Sequence, residues 1–449
     1  RGTVWVDGRL LRRLDVRGRS TDNSNGVKLL LNGHSLNDPF TGSALPVFDD
    51  RPIDDVKQIE IIRGPGSALY GANAFLAVVN IITRDDDGAR AMARYDTDNS
   101  YLASGYLRGQ QQGVNVSAHA SRVTSGGPQA EIAADRLYGT SQRLASLAGG
   151  PEHPGQGDRS YDRTDVNLDA AWKWLAASVR YNKKRRGDFA GQDYYLTYDP
   201  EHPEASSNFR FAQLGAELSA KTPTVAEHLT LSARLFYDHI TTNAGLRLTP
   251  LEFRLPMDLN GDGVDEYFPD GRRQRRLVRE SVLGWEIQAV VASLGANRLI
   301  FGYVQEIHRL LRTAQWANFD PEVGAALDGG YQRARDFNEP SYAREIVAAY
   351  LEDIWEAREN LRLTAGVRAD HYNDFGAAVA PRAALVYRPF TGIYVKALYG
   401  HAFRAPTFDE LFTRGNPDVI GNPTLAPEQL DSGELGVIVR ARDLLGLGG

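Results

Sequence analysis

The sequence predicts an all-β membrane protein, an incomplete antiparallel transmembrane β-barrel preceded by a small α+β unit. From residue 89 onwards, segments of about ten residues alternate apolar with polar side chains. Short and long connections take turns between these segments. Residues 1–88 instead hold clustered apolar runs between turns, which is typical of a separately packed unit. We therefore expect two domains, at 1–88 and 89–449.

The N-terminal unit has apolar runs at 29–31, 59–62 and 78–82, separated by turns such as Asn32-Gly33 and Gly64-Pro65-Gly66. A glycine-rich turn after a strand can also cradle a phosphate. No Gly-Lys-Ser or Gly-Lys-Thr follows here, and the next element is β-like rather than an amphipathic helix. The glycines are therefore interpreted as tight turns between short strands.

The alternating segments of the second domain carry an apolar and a polar face. In one of them, Val166, Leu168 and Trp172 lie opposite Asp165 and Asn167. The same pattern recurs at 114–121, 175–182, 229–238 and 361–368. We count about fourteen such strands, each close to the roughly 9–11 residues that a tilted strand needs to cross a bilayer.

The connections show a regularity of their own. Short turns are expected near 109–112, 172–173, 221–227, 293–296, 357–360 and 388–391, and long loops near 124–160, 184–208, 241–276, 314–342 and 403–430. Two further loops on the long side, near Asn99 and at 371–378, are themselves brief. Outer-membrane barrels combine short periplasmic turns with long outer loops. A soluble β-sandwich or propeller also alternates, but it gives no reason for long loops at every second connection.

Composition excludes several function classes. Lys and Arg number 51 against 57 Asp and Glu, a net charge of −6, which argues against nucleic-acid binding. The absence of cysteine excludes disulfides, Cys-zinc sites and thiol chemistry. No nucleophile elbow, zinc-protease motif or P-loop occurs, so we expect no enzyme. No signal peptide precedes Arg1, and we expect residues to be missing at the start.

Two motifs identify a family. IEIIRGPGSALYGANAF at 59–75, continued by VNIIT at 79–83, closely resembles the end of the plug domain of TonB-dependent receptors. DVRG at 15–18 and VKLLLNGH at 27–34 resemble earlier plug elements. Near the C-terminus, FRAP at 403–406 and NPTLAPE at 422–428 resemble a barrel segment of the same receptors. The plug most resembles that of iron-complex receptors, including the colicin I receptor type.

The resemblance implies a bacterial outer-membrane receptor that imports a scarce nutrient. Such receptors bind the nutrient at the plug apex and outer loops, and the partner TonB supplies energy by pulling an N-terminal box that we expect to be absent here. Their barrels have about 22 strands, so roughly eight would be missing, with 444–449 as a truncated tail. The expected partners are TonB, a small-molecule metal chelate and outer-membrane lipid, with no nucleic acid and no required cofactor.

The substrate is less closely defined by the resemblance. A ferric siderophore is the first choice, with cobalamin and haem as alternatives. Haem receptors of this family commonly carry a histidine between the two C-terminal motifs, and none lies between Phe403 and Glu428. A passive porin or adhesin barrel is a different class, and it would lack a folded plug.

Candidate ligand contacts come from a plug segment and from loop aromatics. Asn37, Asp38 and Phe40 follow a motif that matches a plug apex loop, although Asn37-Asp38-Pro39 is also a good turn. The outer-loop candidates, which could pack against a planar ligand, are Tyr194, Tyr195, Tyr198 and Trp316.

The family match also predicts a plug–barrel contact. Arg17 and Arg63 lie in the two Arg-Gly elements of the plug, and the resemblance places them opposite barrel carboxylates such as Glu434. A guanidinium buried in a lumen needs a carboxylate partner to offset its desolvation. We therefore expect Arg17 or Arg63 near Glu434, the alternative being that Glu434 is solvated in the lumen.

A last motif points to calcium. DLNGDGVDE at 258–266 places oxygen-bearing residues at alternate positions with glycine at the sixth, a spacing that lets a short loop wrap a hard cation. The expected ligands are the side chains of Asp258, Asn260, Asp262 and Glu266 and the carbonyl of Val264. Pro269 stands at the twelfth position, which excludes an EF-hand. A metal-free Asp/Asn/Gly turn is the alternative. The expected role is to rigidify an outer loop.

Overall fold

The computed structural model describes most of the chain. The described residues are 3–6, 9–12, 25–44, 47, 51–97, 99–127, 131–132, 155–156, 160–187, 207–223, 228–247, 252–334, 336–339, 341–414 and 420–441. None of the helices in these ranges is long and apolar enough to cross a membrane.

The N-terminal unit, hereafter the plug, contains a four-stranded sheet in the order β4-β3-β6-β5. Its strands are β3 (Val27–Leu31), β4 (His34–Ser35), β5 (Val56–Arg63) and β6 (Ala77–Thr83). β3 and β6 pair in parallel, and the short helix α1 (Ser67–Tyr70) lies between β5 and β6. Asn32 and Gly33 both adopt positive φ, of 51° and 82°, so the expected tight turn forms there. A separate hairpin pairs β1 (Thr3–Val6) with β2 (Arg9–Arg12).

A second, large sheet begins at Gly88. Fourteen of its strands follow one another in antiparallel order, as the alternation predicted. They are β7 (Gly88–Asp96), β8 (Ser100–Gln111), β9 (Val114–Ser125), β12 (Tyr161–Trp172), β13 (Leu175–Arg186), β14 (Asn208–Lys221), β15 (Leu229–Arg247), β18 (Arg273–Leu294), β19 (Asn297–Ala317), β21 (Tyr342–Arg358), β22 (Leu361–Tyr372), β23 (Gly376–Phe390), β24 (Ile393–Arg404) and β25 (Glu428–Val439).

Several short strands and one short helix lie in the connections between these long strands. β10 (Glu131–Ile132) pairs with β11 (Gly155–Gln156), and β16 (Phe253–Leu255) pairs with β17 (Glu266–Phe268). β20 (Gln332–Ala334) adds to the outer end of β19, and the helix α2 (Phe408–Phe412) follows β24. Within the described residues, the short turns fall close to the predicted positions, and the strands that flank the long connections end near the predicted bounds, except that β19 runs on to Ala317.

The two faces of the large sheet differ as expected. Leu168 and Trp172 are each 48% exposed on the outer face of β12, whereas Asp165 of the same strand is 5% exposed. This arrangement is the reverse of a soluble domain, and it fits a surface that contacts lipid outside and a polar lumen inside.

The apolar core lies between the plug and the large sheet, which is hereafter called the wall. Leu29, Leu31 and Ile81 of the plug pack against Phe211 of β14 and Ile240 of β15. The plug therefore fills the lumen rather than resting beside it.

The large sheet does not close on itself in the part of the chain that the structure describes. Its order begins at β7 and ends at β25, and these two strands do not pair with each other. The expected open edge is therefore present.

Candidate functional site

The plug apex and the sheet wall enclose a polar cavity, hereafter the lumen cavity. The plug contributes the loop 36–44, hereafter the apex loop, together with Lys28 and the segment 70–73. The wall contributes polar or charged side chains from five strands, namely Gln213, Asp238, Glu306, His308, Arg344 and Arg368. The cavity lies towards the long connections, since Gln213 is near the start of β14 and Tyr372 ends β22.

Asn37 and Asp38 line the lumen cavity, but their side chains also build the apex loop. Asn37 accepts a hydrogen bond from the backbone N–H of Leu29 and donates to the carbonyls of Val27 and Gly42, at 2.8–2.9 Å. Asp38 accepts from the backbone N–H and the hydroxyl of Thr41, at 2.6 and 2.7 Å. The turn chemistry considered as the alternative is therefore present, and ligand contact by these two residues stays a prediction.

Asp38 is nevertheless electrostatically unusual. It is 4% exposed, and burial raises the pKa of its carboxyl to about 6, against the hydrogen bonds from Thr41, which favour the charged form. The nearby carboxylate of Asp409 contributes to this raised pKa. A titratable acid thus lies at the junction of the plug apex and an outer loop.

Phe40 does not line the lumen cavity, and its contact with a ligand stays a prediction. Its ring is 8% exposed and packs in a cluster with Val278, Leu310, Phe337 and Phe408. The reason is the position of α2, which docks on the apex loop: the N–H of Asp409 donates to the Phe40 carbonyl at 3.0 Å. Phe40 therefore anchors the apex loop to the wall and to an outer loop.

The FRAP and NPTLAPE motifs meet at α2. Thr407 caps the helix and forms a reciprocal capping box with Glu410. Arg404 donates to Glu410 at 2.8 Å and, through two nitrogens, to both carboxylate oxygens of Glu428, at 2.6 and 3.1 Å. One guanidinium thus fastens α2 to β24 and β25 and joins the two motifs in space.

Three cationic side chains reach the lumen cavity. Arg368 is paired with Asp370 at 2.9 Å and Arg344 with Asp374 at 2.6 Å, and all four are largely buried. The ammonium of Lys28 has no hydrogen bond or close ion pair among the described residues. Burial, with the charges of Arg368 and Arg234, lowers the pKa of Lys28 against the nearby carboxylates of Glu306 and Asp370.

The predicted pairing of Arg17 or Arg63 with Glu434 stays a prediction. Arg63 is exposed at the end of β5, and no carboxylate of β25 pairs with it in the ranges described. Arg17 lies outside the described residues. Glu434 lies on β25, opposite Leu398.

The plug is held to the wall by contacts that the sequence did not single out. His34 lies between Glu217 and Asp238, and His119 of β9 lies 3.1 Å from Asp54 of the plug. The DVRG and VKLLLNGH motifs are defined mainly by their arginine and glycine. In the sequence, only the histidine at the end of the second motif indicates the contact made by His34.

The loop 258–266, hereafter the calcium-type loop, is folded, and its acidic side chains accept hydrogen bonds from backbone N–H groups of the turn. Asp258 accepts from the N–H groups of Gly261, Asp262 and Gly263 at 2.6–3.1 Å, and these bonds, that from Gly263 first, lower the pKa of its carboxyl. Glu266 accepts from the N–H groups of Leu259 and Ala326. Within the described ranges, no three His, Cys, Asp or Glu side chains are grouped so as to hold a metal. The calcium site remains a prediction, and Glu266 is its weakest proposed ligand.

Of the four aromatic candidates, the structure describes one, Trp316. Tyr194, Tyr195 and Tyr198 lie outside the described residues. Trp316 was expected in an outer loop, but it lies in β19, paired with Arg275 of β18 and Arg333 of β20, and the Arg275 guanidinium lies 5.1 Å from its ring. That expectation of a loop was wrong because β18 and β19 run on for 22 and 21 residues, about twice a membrane-spanning length.

Comparisons with known proteins agree with this architecture. A family model described as the TonB-dependent receptor plug domain matches residues 6–78. A second, described as a TonB-dependent receptor-like β-barrel, matches residues 155–448, more than half of the chain.

Curated relatives match over most of this chain. The ferric enterobactin receptor PirA of Pseudomonas aeruginosa is 24% identical over 96% of the chain and 60% of its own length. The vitamin B12 transporter BtuB of Vibrio vulnificus is 22% identical, over 92% and 56% respectively. An iron-regulated outer membrane virulence protein of Vibrio cholerae is 24% identical, over 86% and 51%. The chain thus spans between half and three-fifths of the length of these relatives.

Solved structures support the fold. The siderophore receptor PirA of Acinetobacter baumannii aligns with a TM-score of 0.62 at 16% identity, over 93% of this chain and 61% of that one. The ferric enterobactin receptor PfeA of Pseudomonas aeruginosa aligns with a TM-score of 0.60 at 17% identity, over the same shares. The copper transporter OprC aligns with a TM-score of 0.62 at 13% identity, over 92% and 61%.

Proposed function

Because the chain belongs to the TonB-dependent receptor family of the bacterial outer membrane, we propose that its parent protein is an active-transport receptor for a ferric siderophore. The energy would come from TonB, acting on an N-terminal box outside the described residues. Members of this family are transport receptors, which supports a non-enzymatic role.

The observation that supports the substrate class is the buried ammonium of Lys28, which has no hydrogen bond or close ion pair among the residues that the structure describes. It is presented by the plug into the lumen cavity, beside two arginines that already have carboxylate partners. Iron(III) held by three dianionic catecholates is a complex anion, and a desolvated cation without a partner would bind such a group strongly. Binding of an anion would also reverse the lowered pKa of Lys28.

A second candidate is cobalamin. Relatives named vitamin B12 transporters match at identities similar to those of the relatives named for ferric enterobactin. Cobalamin is not a multiply charged anion, so a lysine in the cavity would contribute much less to its binding. This difference separates the two candidates experimentally.

The test is ligand binding by the purified parent receptor. We expect ferric enterobactin to bind more tightly than cyanocobalamin or haem. Lys28→Gln should weaken ferric enterobactin binding about tenfold, or about 1.4 kcal/mol, and Lys28→Arg should largely restore it. The matched control is Lys57→Gln, since Lys57 is a plug lysine that is 48% exposed and paired with Asp85, away from the lumen cavity. Selective binding of cyanocobalamin, unchanged by Lys28→Gln, would contradict the proposal.

A further inference from the structure

The first residue of β4, directly after the β3–β4 turn, is a buried histidine between two wall carboxylates. The side chain of His34 is 2% exposed. Its Nδ1 lies 2.9 Å from Oε2 of Glu217 on β14, and its Nε2 lies 2.8 Å from Oδ2 of Asp238 on β15. Both ring nitrogens therefore face oxygens of the wall.

This geometry requires an additional proton. An ionised carboxylate only accepts hydrogen bonds, whereas a neutral imidazole has a single N–H donor. Two carboxylates can both be satisfied by His34 only when both ring nitrogens carry a proton, which is the imidazolium form.

The surrounding charges lead to the same conclusion. Arg180 of β13 lies 3.7 Å from Glu217, and Arg234 of β15 pairs with Glu286 of β18 and donates to the Gly33 carbonyl at 3.1 Å. Asp169 also interacts with Arg180 and Glu217, and Glu306 with Arg234. The wall carboxylates around His34 thus outnumber the two wall arginines, and the imidazolium adds a positive charge among them. The uncharged neighbours are Gln213, which donates to Asp238 at 3.2 Å, and Phe236, whose ring meets the imidazole edge-on at 5.2 Å.

The backbone opposite Asp238 leaves room for this arrangement. Gly215 pairs directly with Asp238, and a Cβ at that position would lie 2.6 Å from Oδ1 of Asp238. Any larger residue at position 215 would displace the carboxylate that faces His34.

We propose that His34 is a positioning residue of the plug, whose imidazolium fastens the β3–β4 turn to the wall and releases it when the proton is lost. The docking itself does not depend on the ligand, and only its consequence for transport rests on the proposed function. The plug would be held tightly in mildly acidic surroundings and more loosely in alkaline ones.

The direction of the pH dependence follows from linkage. Burial alone would lower the pKa of His34, but the charge of Asp238 and the hydrogen bonds to Asp238 and Glu217 outweigh it, so the pKa lies above the ordinary 6.5. A group whose folded pKa is raised stabilises the folded state fully below its ordinary pKa. That stabilisation is lost as the pH rises through the raised value.

The test is hydrogen exchange of the ligand-free parent receptor in lipid, followed at residues 27–36 from pH 6 to pH 9 and corrected for intrinsic rates. We expect protection to fall about tenfold across this range in the wild type. His34→Gln, which keeps one donor and one acceptor, should be weakly protected at every pH. The matched control is His401→Gln, because His401 pairs with Asp431 of β25 within the wall.

A second variant keeps the proposal testable if His34→Gln folds poorly. Asp238→Asn removes the strongest influence that raises the pKa of His34, so the loss of protection should move to lower pH. Protection that does not change with pH in the wild type, or a His34→Gln profile that follows the wild type, would overturn the proposal. These readings need no ligand, so they are independent of whether a ferric siderophore is the substrate.

Discussion

At the residue scale, glycines in the wall strands make room for large side chains of the neighbouring strand. Gly302 of β19 pairs directly with Tyr350 of β21, whose ring lies over the glycine. The Tyr350 hydroxyl donates to Glu286 at 2.6 Å and accepts from Gln288 at 2.8 Å. The glycine therefore determines where a polar network of the lumen is placed.

The first prediction concerns this pair. In Gly302→Ala, the new Cβ would lie 2.0 Å from Cζ of Tyr350, so the ring must move and its hydroxyl must leave Glu286. We expect the parent receptor to lose roughly 1–3 kcal/mol of stability, the usual cost of overpacking. Urea unfolding in lipid measures the effect. Gly105→Ala on β8 is the control: no heavy atom lies within 4 Å of its added Cβ, so a change below about 0.5 kcal/mol is expected. Equal losses in the two variants would contradict this account.

At the element scale, the calcium-type loop joins β16 to β17 in one outer connection. Phe253 and Phe268 anchor this hairpin to Ala317 and Phe319 at the outer end of β19. The hairpin is thus fixed on its apolar side, and the acidic loop at its tip is exposed to the outer medium.

The second prediction is that this loop binds Ca²⁺ from the medium. Calorimetric titration of the parent receptor should show a site that is lost in Asp262→Ala. Asp265→Ala is the matched control, because Asp265 is an exposed acid of the same loop outside the proposed ligand set. Equal Ca²⁺ binding by the wild type and Asp262→Ala would rule the site out and leave the hydrogen-bonded turn as the only role of Asp258 and Asp262.

At the scale of the whole molecule, the described sheet combines a lipid-facing surface with two free edges. β7 and β25 each pair on one side only. Unpaired backbone groups cost several kcal/mol each in hydrocarbon, so a membrane sheet must close. The plug also has an apolar surface on β5, where Ile59, Ile61 and Ile62 are exposed. No described strand of the wall covers this surface.

The third prediction concerns insertion. The 449-residue chain, expressed alone, is expected to enter lipid vesicles poorly, whereas the parent receptor with a closed barrel should insert. Heat-modifiable migration of the unboiled protein on a denaturing gel measures folding. Recovery of the 449-residue chain from membranes as a folded, heat-modifiable barrel would show that its edges are satisfied in another way.

The sequence by itself determined the strands, their two faces and the connections. These features depend on local chemistry, because a strand repeats every two residues and lipid and lumen select opposite side chains. Val166 with Leu168 and Asp165 with Asn167 were therefore assigned to the correct faces. The motifs at 59–83 and 403–428 determined the family.

Only the tertiary structure decided which polar residues meet. His34 is 183 and 204 residues from Glu217 and Asp238, and many lumen-facing positions look equally polar in the sequence. The burial of Phe40 depends on α2, which is supplied from the far end of the chain, so the sequence does not show it. The sequence predicts a loop at Trp316, because nothing local shows that β18 and β19 continue beyond the membrane. Contacts made by docking a plug into a wall depend on the whole arrangement of strands, and no segment of the sequence contains that information.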